Sequence, residues 1–181
     1  LNMTRARPNG DWTLSYASSL GTEGRRDNLT IGRSLDMQSY KLSMALGTTH
    51  FDGNYDPIFQ IAYDQELGRT SRFRTSLQRS AVTDADGDEA INTDISASYS
   101  REISELASLN TSLRYRSSKI QSGDRADAET VSFDVNYSHS LNSAMSLVAG
   151  ANIIRRSGGD NRKDDDERVY LGLSRSFDWL P

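Results

Sequence analysis

The chain has no cysteine, only three prolines and only two histidines among its 181 residues. Without cysteine there is no disulfide framework, no thiolate nucleophile and no Cys-based metal site. Two histidines leave few parts for a Ser-His-Asp triad or a His-rich metal centre. No stretch approaches the roughly 18 to 20 consecutive apolar residues that a spanning helix needs, so a helical membrane bundle is excluded. The net charge of -4 gives no reason to expect nucleic acid as a partner. No glycine-rich phosphate cradle, dinucleotide fingerprint or basic, aromatic-interleaved patch appears, and no cofactor is expected. The opening residues Leu1-Asn2-Met3-Thr4-Arg5 carry no basic segment followed by an apolar one, so a secretory signal has been removed, lies upstream or never existed.

What is abundant is serine, at 26 residues, together with eight tyrosines, five phenylalanines and two tryptophans spread along the whole chain. Low hydrophobicity alone would suit a disordered segment, but evenly spaced aromatics argue for a fold. The periodicity is two almost everywhere, as in Trp12-Leu14-Tyr16, Leu42-Met44-Leu46, Leu109-Thr111-Leu113-Tyr115 and Val131-Phe133-Val135-Tyr137. Strict alternation over such lengths predicts strands, and about ten of them in an uninterrupted meander. Tight turns are expected near 36–38, 68–71, 104–107 and 142–144. Polar loops are expected at 22–27, 52–56, 84–90, 123–128 and 158–167. Short and long connections therefore take turns, as they do when the two rims of a sheet face different compartments. A hairpin repeat of roughly 32 to 38 residues accompanies this pattern, seen in Tyr63-Asp64-Gln65-Glu66-Leu67, Tyr99-Ser100-Arg101-Glu102-Ile103 and Tyr137-Ser138-His139-Ser140-Leu141.

On a soluble sheet the second face would be rich in lysine and glutamate. Here it holds Ser, Thr, Ala, Gly and Asn with a few charges whose sign changes from strand to strand: Lys41, then Asp64 and Glu66, Arg72 and Arg74, Asp94 and Glu102, Arg114 and Arg116, and Asp134. Folding about the Gly68–Thr70 turn sets Glu66 opposite Arg72 and Asp64 opposite Arg74. A loop centred on Asp124 sets Arg114 opposite Asp134. Such a ladder suits a confined polar interior, where an unpaired charge is costly. The apolar face then meets lipid, which strands of about ten residues can cross when tilted and when no edge is left unpaired. Tyr63, Tyr99, Tyr137, Phe177 and Trp179 fall near the short-turn rim as an aromatic girdle. Arg33, Arg101, His139 and Arg175 share the outward parity and would reach headgroups.

From about Asp11 onward the chain resembles a bacterial outer-membrane β-barrel protein of the porin-like superfamily. Its last strand, Gly172-Leu173-Ser174-Arg175-Ser176-Phe177, is similar to that family's C-terminal assembly signal, with Trp179 beyond it. Arg175 stands where an aromatic is usual, and Asp178–Pro181 run past the usual terminal aromatic. The resemblance implies an all-β fold: an antiparallel, up-and-down transmembrane barrel of about ten strands over residues 11–181, closed alone or forming part of a larger barrel. Residues 1–10 are then a tail or linker. It implies the outer membrane as the site, and the lipid bilayer, lipopolysaccharide and the barrel-assembly machinery as partners, with other outer-membrane or periplasmic proteins as further ones.

The function expected is passive: a narrow pore with a charge-paired lumen, for transport or translocation. The main alternative is a non-conducting barrel that supports an outer-membrane assembly. Two further readings are an omptin-like protease and a soluble β-sandwich adhesin. His50-Phe51-Asp52 is similar to the Asp and His pairs of the omptins, but order and flanks differ, and no enzyme is expected. Asp84, Asp86 and Asp88 offer clustered hard oxygens, yet glycine falls at the fourth place and not the sixth of an EF-hand loop, so no metal site is assigned.

Overall fold

The computed structural model describes residues 1–21, 24–83, 89–122, 126–158 and 164–175. All regular structure is β: β1 (Asn2–Arg5), β2 (Trp12–Gly21), β3 (Gly24–Asp36), β4 (Tyr40–Phe51), β5 (Asn54–Glu66), β6 (Ser71–Thr83), β7 (Glu89–Ser104), β8 (Ala107–Ser122), β9 (Ala128–Ser140), β10 (Met145–Gly158) and β11 (Asp164–Arg175). They form one sheet in strict sequence order, every neighbour antiparallel. No helix occurs among the described residues. The two-residue rhythm thus yields the expected up-and-down meander. Residues 1–10, expected as a tail or linker, contribute a strand of their own: Asn2–Arg5 pair with Trp12–Ser15.

The four tight turns lie where the sequence places them, at 37–39, 67–70, 105–106 and 141–144. Two of the five polar loops are much shorter than expected. Arg25–Asp27 belong to β3, and β4 joins β5 through Asp52-Gly53 alone. Both residues of that turn adopt positive φ, 46° and 79°, the backbone that a two-residue hairpin of matching twist requires. The contrast between the rims therefore rests on the three later connections, most of whose residues, Asp84, Asp86 and Asp88 included, lie outside the described residues.

Register sorts the side chains onto two faces. One carries Leu14, Ile31, Leu46 and Phe59 in one row and Trp12, Met44, Ile61, Leu77, Ile95, Tyr115 and Val131 in the next. These residues are exposed or half-exposed, Leu46 at 61%, and Leu171 of β11, on the same face opposite Ala149, is exposed to 73%. The other face carries Thr13, Gly32, Ala45, Gln60, Gln78, Asp94, Arg116 and Thr130. It is the concave one. Ser34, Ser43, Ala62, Ser76 and Ser96, from β3 to β7, border a hollow of about 530 Å³ on it. Side chains of β3 and β7, and of β5 and β8, also meet across it.

The core is correspondingly small. Phe51, Ala90, Ile91 and Ala107 are the buried apolar residues among those described. A soluble sandwich hides its apolar face in a second layer, whereas this sheet turns it outward.

Candidate functional site: a charge-paired concave face

The hairpin of β5 and β6 places Asp64 opposite Arg74 and Glu66 opposite Arg72, as the turn at Gly68 predicts. Asp64 is the hub. Arg72 donates to it twice, through Nε at 2.7 Å and a terminal nitrogen at 2.5 Å, and Arg74 donates through Nε at 3.1 Å. The two-pronged bond fits the planar guanidinium fork. Lys41 is also opposite Asp64, but its ion pair is with Asp36, at 3.3 Å. Two strands further on, Arg116 donates to Asp94, its direct cross-strand neighbour, at 2.7 Å.

These are two paired groups and not a continuous ladder. Between them the concave face is hydroxyl-lined: Ser98 faces Arg74, and the Ser76 and Ser96 hydroxyls bond each other at 2.7 Å. The expected Arg114–Asp134 pairing does not form. Arg114 faces Ser96 and Ser132, and Asp134 faces Ser112 and Asn152. The hairpin between β8 and β9 is shifted by two residues from the expected register, which keeps both side chains on the concave face but separates their rows. Glu102 sits lower on β7, opposite Ser108, where Glu66, Arg72, Arg74, Ser100 and Asn110 help it border a second hollow of about 700 Å³ at the short-turn rim.

Other polar groups of this face escaped sequence reading. Arg156 pairs with Asp164 at 3.2 Å and Arg168 with Asp166 at 3.5 Å; Asp164 and Asp166 belong to β11, where the sequence predicts a loop over 158–167. Tyr170 lies on the same face over Gly150 and accepts a hydrogen bond from Asn136 at 2.8 Å. At the opposite rim Arg26 of β3 forms an ion pair with Glu89 of β7, both almost fully buried, and the Arg26 guanidinium stands 5.5 Å from the Phe51 ring centre. Gln121 of β8 donates to Asp56 of β5, and Arg79, which the register puts on the convex side opposite Phe59, approaches Asp56 at 3.7 Å. Arg26–Glu89 and Gln121–Asp56 join strands that are not neighbours in the sheet, so no ladder register links them.

The convex face ends in polar groups at both rims. Near the short turns Tyr40, Tyr63, Phe73, Tyr99 and Tyr137 share the outward parity, Tyr40 and Tyr63 lie 5.9 Å apart, and Arg33 stands 4.8 Å from the Trp12 ring centre. Arg101, His139 and Arg175 share that parity, as expected. Of the assembly-signal residues, Gly172 and Leu173 are in β11, while Phe177 and Trp179 lie outside the described residues. His50 is on the convex face beside Asp27, its ring centre 4.5 Å from that of Tyr55 and tilted against it, on the side opposite to the hollows. Among the described residues no cluster of three or more metal-ligating side chains occurs.

No family model matches the chain, and no curated protein matches it. Solved structures do. An anion-selective porin from Comamonas acidovorans superposes with a TM-score of 0.52 at 14% identity, over 97% of this chain and 58% of that one. Outer-membrane expressed OmpT of Vibrio cholerae gives 0.53 at 8% identity, over 96% and 63%. Its in-vitro folded trimer form gives 0.53 at 8%, over 95% and 62%. The chain thus spans about three fifths of the length of these structures. Identities this low speak to fold alone, and the fold is the antiparallel, up-and-down one of outer-membrane β-barrel proteins.

Proposed function

We propose that the chain is a passive, non-catalytic barrel of the bacterial outer membrane, its convex face in lipid and its concave face lining a narrow polar conduit for small solutes. The observation that carries this reading is the inversion of faces: exposed leucine, isoleucine and valine on the convex side, paired arginines and carboxylates on the concave side. In water that arrangement exposes the apolar area folding should hide, whereas a bilayer accepts it and leaves the charges paired inside. The hollows of about 700 and 530 Å³ at and above the short-turn rim supply space for water and small polar solutes.

The Arg26–Glu89 contact favours a second reading, a barrel that supports an outer-membrane assembly without conducting. It joins β3 to β7 across the concave side and narrows the end opposite the short turns. Conductance of the purified chain in planar bilayers separates the two. Discrete ion steps support the conduit, and silence from protein that is folded by heat-modifiable migration supports the scaffold. Protein that stays monomeric in solution without detergent refutes both.

A further inference from the structure

The hollow of about 700 Å³ at the short-turn rim holds charges of both signs that the paired groups leave unengaged. Register puts Glu66, Arg72 and Ser100 side by side on β5, β6 and β7, and Glu102 lies two residues beyond Ser100 towards the turns. Arg72 stands directly opposite Glu66 but gives its two-pronged bond to Asp64, one row higher. Among the described residues the side chain of Glu66 therefore forms no hydrogen bond or ion pair, and neither does that of Glu102. The two carboxylates come from strands on either side of β6, about 10 Å apart at the usual strand spacing.

The cationic side is incomplete in the same way. Arg74 reaches Asp64 through Nε alone, and its two terminal nitrogens have no partner among the described residues. Arg69, in the turn between β5 and β6, and Arg101, of outward parity, border the hollow as well. A lone cation entering here meets guanidinium groups, and a lone anion meets Glu66 and Glu102. A solute that carries an ammonium and a carboxylate a few ångströms apart escapes both repulsions. Its ammonium has three donors to share between the glutamates, and its carboxylate matches the planar fork of Arg74.

We infer that this hollow is a binding site for small zwitterions of the amino-acid or short-peptide class, Glu66 and Glu102 holding the ammonium and Arg74 the carboxylate. Asp64 is a positioning residue: it draws Arg72 away from Glu66 and anchors Arg74 by its Nε, so that one arginine is neutralised and the other keeps its free end. The site gives the conduit proposed above a solute class, and it rests on that reading's enclosed, water-filled concave side.

The test uses glycylglycine and three relatives: N-acetylglycine keeps only the carboxylate, glycinamide only the ammonium, and N-acetylglycinamide neither. Saturation-transfer NMR on the full chain, folded into phosphatidylcholine vesicles at neutral pH, ranks their binding. Glycylglycine should bind about tenfold more tightly than any of the three, the factor that one hydrogen bond to an ionised group supplies. Glu66→Gln/Glu102→Gln should abolish that advantage and leave N-acetylglycine the best of the four, whereas Arg74→Gln should leave glycinamide the best. A general loss of stability does not invert a ranking in this way. Equal affinities for all four, tighter binding of a singly charged relative by the unsubstituted chain, or a ranking that neither variant alters overturns the inference, and the first two outcomes need no variant to fold. Flotation and bilayer conductance keep the two proposals distinct. Protein that floats with the vesicles and conducts but does not discriminate among the four refutes the zwitterion site alone, whereas protein that does not float refutes the membrane reading and the site with it.

Discussion

Arg26 on β3 and Glu89 on β7 form a buried ion pair across three intervening strands. Neither partner could be chosen from sequence spacing, and the contact brings the concave walls together at the rim opposite the short turns. Removing one member of a buried pair strands the other charge, at a cost of about 3 to 5 kcal/mol. Glu89→Ala should therefore lower stability by about that amount in a urea titration followed by tryptophan fluorescence in vesicles. The double variant Arg26→Met/Glu89→Leu should recover much of the loss. If the pair also throttles the conduit, the double variant conducts better than the parent; unchanged conductance would leave the pair a purely structural tie.

Asp64 takes hydrogen bonds from two arginines. Its side chain and theirs are partly exposed, so the contribution to stability is about 1 kcal/mol, near the upper end for such pairs. The electrostatic effect should be larger than the structural one. Asp64→Asn leaves Arg72 and Arg74 without their shared carboxylate at the short-turn hollow, and the reversal potential in a salt gradient should move towards anion preference. Arg72→Gln should move it the other way.

How much of this was legible in the sequence depended on which degree of freedom was at stake. Alternation fixes which face a residue occupies, because a slip by one residue would expose every buried side chain and bury every exposed one. That is why alternation alone assigns Asp64, Arg74, Asp94 and Arg116 to one face. A slip by two residues keeps the faces and costs no apolar mismatch, so only the turn decides it. Gly68 marks the turn between β5 and β6, and the Asp64–Arg74 register followed from it. Between β8 and β9 the polar segment 123–128 offers several possible centres: one at Asp124 sets Arg114 opposite Asp134, whereas its partner is Ser132. Contacts across the curved sheet, such as Arg26–Glu89 and Gln121–Asp56, depend on curvature and leave no periodic trace. β1 went unseen because a four-residue strand contains too few alternations to register.

The two faces should respond in opposite ways to the same substitution. Leu46→Arg puts a charge on the exposed convex face, and a charge near the middle of a bilayer costs about 2 to 4 kcal/mol. Gln60→Arg, on the neighbouring strand but facing the concave side, should cost far less. Folding yield into vesicles across a urea series reads the difference. Were the convex face in water, Leu46→Arg would be tolerated and Gln60→Arg would be the more damaging change, so equal or inverted yields would refute the orientation itself.

Tyr170 packs over Gly150, the residue directly opposite it in the β10–β11 ladder. A Cβ at position 150 would overlap the Tyr170 ring and the Val135 carbonyl oxygen, so the glycine is required by close approach rather than by φ. Gly150→Ala should force the ring aside, break the Asn136–Tyr170 hydrogen bond and cost about 1 to 3 kcal/mol, as overpacking does. Tyr170→Phe keeps the ring over the glycine and removes only the 2.8 Å bond, so it should cost about 1 kcal/mol. The combination Gly150→Ala/Tyr170→Ser gives the new methyl room, and its destabilisation should fall below the sum of the single changes. Strict additivity in that cycle would mean that ring and glycine do not meet, and that β11 is not packed against β10 in the register described.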